Sequence, residues 1–75
     1  MGTKQCHIIL YLPIESIQYI VKHSWNQLIN IMDITKTIIH YNLIDNRTYF
    51  LIRGDTIENV NNVKMYILTK FKYKL

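Results

Sequence analysis

Alanine is absent from this chain, and cysteine and proline each occur once in 75 residues. The single cysteine, Cys6, excludes an intramolecular disulfide and agrees with a reducing compartment. No run of about 18 apolar residues occurs, so no segment is expected to span a membrane. No charged region followed by an apolar one opens the chain, so an intracellular site, cytoplasmic or nuclear, is expected. In place of alanine the chain is loaded with Ile, Asn, Lys and Tyr, whose codons are A/T-rich. That composition points to an A/T-rich genome, such as that of a large DNA virus, a protozoan parasite or a microbe, and makes raw Lys and Asn counts a weak guide to chemistry.

What is present suffices for one small domain. Hydrophobic residues make up 49% of the chain, enough for one compact core at a size where independent folding is marginal. The formal charge is +4. Lys4, Lys22, Lys36, Arg47 and Arg53 cancel against Glu15, Asp33, Asp45, Asp55 and Glu58, whereas Lys64, Lys70, Lys72 and Lys74 have no acid among them. The excess therefore lies in residues 64–75. It suits a polyanion and equally suits a solvated helix end whose lysines complement the C-terminal dipole.

Residues 1–5 are polar and expected to fray, residues 6–72 form the domain, and 73–75 end a basic tail. Cys6–Leu12 reads as a strand, with Ile8, Leu10 and Leu12 on one face and His7, Ile9 and Tyr11 on the other. Pro13 stops it and opens a helix. Ile17, Ile20 and Val21 recur at helical spacing, and so do Leu28, Ile31 and Met32. The first helix is expected to end near Val21 or Lys22, and the second to run from Ser24 or Trp25 to about Thr35. Ser24, three residues before Gln27, has capping-box spacing. Thr37–Ile44 and Thr48–Gly54 then alternate as two strands around Asp45-Asn46, a hairpin. Asp55 and Glu58 read as a second capping box, opening a last helix with an apolar stripe of Ile57, Val60, Val63, Ile67, Leu68 and Phe71.

The expected fold is α+β, in the order β-α-α-β-β-α: a three-stranded antiparallel sheet with three helices on one face. That arrangement leaves Ile9, Tyr11, Ile38, Tyr49 and Leu51 on the opposite face. A contiguous apolar patch of this kind marks a partner surface, a second copy or another protein, unless its large side chains simply shield one another.

The chain from Cys6 to Phe71 resembles the K-homology domain of the eukaryotic type, a module for single-stranded RNA or DNA. Pro13, Ile17, Ile20, Val21, the joint Lys22-His23-Ser24-Trp25, Leu28 and Ile31 carry the likeness without a gap. The segment Arg47–Gly54 followed by an acid-capped helix is similar to the family's second half. The resemblance implies a binding groove with Lys22, His23, Ser24 and Trp25 at its joint, Leu28 and Ile39 with Ile20 in its floor, and Lys36 and Arg47 on its rim. The family's Gly-x-x-Gly loop has lost both glycines here, and with them the close main-chain approach to phosphate. Lys22 would substitute a direct charge. Trp25 either stacks on a base or packs onto the domain and closes the groove.

No other chemistry is indicated. His7, His23 and His40 lack the spacing and company of a metal site, and the carboxylates and serines form no acid–base or nucleophile arrangement. Asn46-Arg47-Thr48 and Arg53-Gly54-Asp55 are explained by a turn and by a strand end. The expectation is a non-enzymatic module without cofactor or metal, binding single-stranded RNA or DNA weakly. The alternative is a degenerate domain acting through its sheet face as an oligomerisation unit, adaptor or viral effector.

Overall fold

The computed structural model describes residues 5–44 and 46–72. Residues 1–4 of the start expected to fray, the turn acid Asp45 and the tail end at 73–75 lie outside these; Gln5 is described, and its Oε1 accepts a hydrogen bond from Arg53 Nη2 at 2.8 Å. The elements are β1 (Cys6–Tyr11), α1 (Ile14–His23), α2 (Trp25–Thr35), β2 (Thr37–Asn42), β3 (Tyr49–Gly54) and α3 (Ile57–Lys70). The three strands form one antiparallel sheet in the order β1-β3-β2, so the α+β order expected from the sequence is the one observed.

Period-two alternation sorts each strand into two faces. Leu10, Ile39, Phe50 and Ile52 point inward and are buried, joined by Ile17 and Ile20 from α1, Leu28 from α2, and Val60, Val63 and Ile67 from α3. All three helices thus cover one face. Asn59, Asn61 and Asn62 give α3 little intrinsic helicity; its buried stripe of valines and Ile67 holds it in place. Gly54 lets α3 come close to the sheet, since a Cβ there would lie 2.9 Å from Thr37 Cγ2 and 3.1 Å from Val60 Cγ2.

Several boundaries differ from the sequence expectation. Pro13 is the N-cap of α1, its carbonyl accepting from Ser16 N and Ile17 N. The strands end earlier, at Tyr11 and Asn42, and β3 begins at Tyr49. Thr48 still meets Leu12 just beyond the ladder: its main-chain carbonyl accepts from Leu12 N at 3.2 Å, and its hydroxyl donates to Leu12 O. The β2–β3 hairpin closes with Asn42 Nδ2 donating to Arg47 O at 2.6 Å. The cap of α3 is Thr56, not Asp55: Thr56 is extended, and its Oγ1 accepts from Asn59 N at 3.1 Å. No helix among the described residues is long and apolar enough to cross a membrane.

Candidate nucleic-acid interface

The joint between α1 and α2 is a single residue. Lys22 and His23 belong to the last turn of α1, Trp25 is the first residue of α2, and Ser24 alone separates them. The expected four-residue loop is therefore corrected to a corner. Apolar residues on both sides drive this: Ile20 before the corner and Leu28 after it are fully buried, and one residue suffices to turn the chain between them. Ser24 N donates to Ile20 O at 2.8 Å, and its carbonyl accepts from Gln27 N at 3.0 Å. Ser24 thus ends one helix and starts the next through its backbone. Its hydroxyl makes no capping hydrogen bond, because φ −134° and ψ 15° lie outside the extended region from which a serine side chain reaches the next turn.

Beyond the corner, α2 runs back along the free edge of β2. Three contacts fix it there. Trp25 meets Tyr41 edge to face, with ring centroids 5.5 Å apart and planes at 80°. Met32 Sδ accepts the main-chain N–H of Ile39 at 3.1 Å. Thr35 Oγ1 donates to Ile31 O at 2.6 Å and shares a second hydrogen bond with Thr37 Oγ1 at 2.8 Å. The Ile39 amide points off the sheet edge, and α2 supplies its partner. The result is a closed seam rather than an open groove.

The predicted site residues divide accordingly. Leu28 and Ile39, expected in a groove floor, are core residues with 0% and 4% exposure, so they offer a ligand no surface. Trp25 takes the packing alternative, half-buried against Tyr41 and the core. Lys22 and His23 are exposed in the turn before it, and the His23 ring sits 4.7 Å from that of Tyr19. Lys36 is exposed at the far end of the seam, where it caps α2 in the left-handed region at φ 56°. Arg47 is not on the seam's rim. It lines a depression of about 490 Å³ on the outer sheet face with Ile9, Tyr11 and Tyr49.

Four of the five residues assigned to the sheet face are brought together by the pairing of β1 with β3: Ile9 opposite Leu51, and Tyr11 opposite Tyr49. Ile38 lies across β3 at the other end of the face, opposite Arg53. Ile9, Tyr11 and Ile38 are 41%, 63% and 53% exposed; no helix covers them. The sequence reading missed Met32 as the edge cap and Asn42 and Ile44 as lining of the depression. Asn42 was findable, because a hairpin that pairs it with Tyr49 places both on the outer face.

No group of three or more His, Cys, Asp or Glu side chains suited to a metal occurs among the described residues. Among them, too, every buried side-chain nitrogen or oxygen has a hydrogen-bond partner. Comparison with protein-family models, with curated proteins and with solved structures finds no match.

Proposed function

We propose that this chain is a non-enzymatic, K-homology-like module that binds single-stranded RNA or DNA weakly, across the end of the α2–β2 seam. The observation that supports this is the Trp25–Tyr41 pair, with Tyr41 45% exposed, beside the exposed Lys22 and His23 in the preceding turn. An aromatic ring open to solvent stacks on any base, and an adjacent lysine pairs with phosphate. Lys36 adds a second cation at the far end of the seam. With the floor buried and the edge amide of Ile39 taken by Met32, bases have nowhere to insert. The binding is accordingly shallow and indifferent to sequence.

Titration of labelled single strands by fluorescence anisotropy tests the site. Lys22→Glu combined with Trp25→Ala is expected to weaken binding tenfold or more. Lys22→Glu combined with Lys36→Glu, which leaves the packed tryptophan alone, is expected to reduce the salt dependence. Unchanged affinity in both double variants would remove the seam as the site. The oligomerisation reading is favoured by the bare Ile9, Tyr11 and Ile38; a stable dimer in sedimentation, indifferent to oligonucleotides, would establish it instead.

A further inference from the structure

The outer face of the sheet is a three-by-three grid. Reading across β1, β3 and β2 in register, its rows are His7, Arg53 and Ile38; Ile9, Leu51 and His40; Tyr11, Tyr49 and Asn42. Two properties of this grid select its occupant.

The first is charge. Arg53 is exposed on the face, and Arg47 stands at its hairpin end. None of the nine outward positions is an acid, and no carboxylate lines the depression among the described residues. A second copy docked by a two-fold axis would set this cationic face against itself. An anionic ligand meets it with complementary charge. The second property is size. Three strands of six residues, spaced about 4.8 Å apart with a rise of about 3.3 Å per residue, cover on the order of 300 Å². A footprint of that size holds a few nucleotides laid flat.

We infer that the outer sheet face is a second binding surface for single-stranded nucleic acid, on which Tyr11 and Tyr49 stack bases while Arg47 and Arg53 hold the flanking phosphates. Tyr11 and Tyr49 meet edge to face, with centroids 5.7 Å apart and planes at 72°. One ring thereby buttresses the other, and the well-exposed Tyr11 is fixed before any base arrives. Ile9 and Leu51 give the next base an apolar floor. Asn42 and the arginines supply donors around the rim. Antiparallel sheets with exposed rings are known to recognise unstacked bases in this way. The inference rests on the proposed function only for the class of ligand; it uses none of the seam residues.

The test is an anisotropy titration of the full chain with labelled oligo-U and oligo-dT at two salt concentrations, alongside sedimentation. Tyr11→Ala is expected to weaken binding of both strands about tenfold, and Tyr11→Trp to restore it. Arg47→Gln with Arg53→Gln is expected to reduce the slope of log affinity against log salt by about 0.7 per arginine. These positions are exposed, and circular dichroism verifies that the variants fold. If Tyr11→Ala and the arginine pair bind as the unaltered chain does, the inference is overturned; if the seam variants alone lose affinity, it is overturned while the proposed function holds. If the unaltered chain binds neither strand, both fall. A dimer that Tyr11→Ala dissociates would assign the face to a second copy and overturn the inference as well. A preference for oligo-U over oligo-dT, or the reverse, identifies the source of the strand.

Discussion

Lys36 is the one described residue other than glycine with a positive φ, and it sits where α2 must stop so that β2 can start. A side chain in the left-handed region costs on the order of 1 kcal/mol relative to glycine, which is the usual occupant of that position after a helix. Lys36→Gly is therefore expected to raise stability by about 0.5–1 kcal/mol, or roughly 4 °C in Tm for a domain of this size, measured by thermal or urea unfolding. The same substitution removes a cation from the seam. If the proposed function holds, stability should rise while affinity for single strands falls, measured on the same variant.

At the scale of elements, the helix starts separate what sequence spacing reveals from what it hides. Asp55-x-x-Glu58 and Ser24-x-x-Gln27 both have capping-box spacing, yet neither side chain caps. Thr56 caps α3 through Asn59 N, and Ser24 works through its carbonyl. Thr56→Ala is expected to cost about 1 kcal/mol, and Asp55→Ala no more than a few tenths; chemical denaturation of the two variants distinguishes the caps, and the reverse ranking would restore Asp55. Spacing names a candidate to within a residue, but the cap is decided by which residue is extended when the strand before it ends. The element order and the inward face of every strand were legible because period-two and helical repeats are strong here. Tyr41 shows the limit: its alternation places it inward, but it lies near the end of an edge strand and stays half exposed under Trp25.

At the scale of the whole molecule, the candidate site was less legible than the fold. Lys22, His23 and Trp25 are placed at a joint by their spacing, but nothing in the spacing says that one residue would make the turn. Leu28 and Ile39 are apolar in a floor and in a core alike, so the sequence leaves the two roles indistinct. The closing of the seam depends on Met32, an ordinary helix-stripe residue until α2 lies against β2. The outer face was legible as apolar from the alternation. The same alternation put Arg53 on that face; only Arg47, brought near Tyr11 by the hairpin, needed the structure.

The strand order β1-β3-β2 also dictates a schedule of assembly. Asn42 reaches Tyr49 across a short hairpin, whereas Tyr11 meets Tyr49 only after residues 12–48 have been looped out. The closure entropy of the longer loop is met late, once the hairpin and the helices already offer an edge to join. Opening should follow the reverse sequence, with the first strand peeling away before the hairpin parts. Native-state hydrogen exchange is expected to show the amides that β1 donates to β3 less protected than those exchanged between β2 and β3. Peeling of this kind would dismantle the tyrosine pair first, making the outer face the earliest part of the molecule to lose its shape.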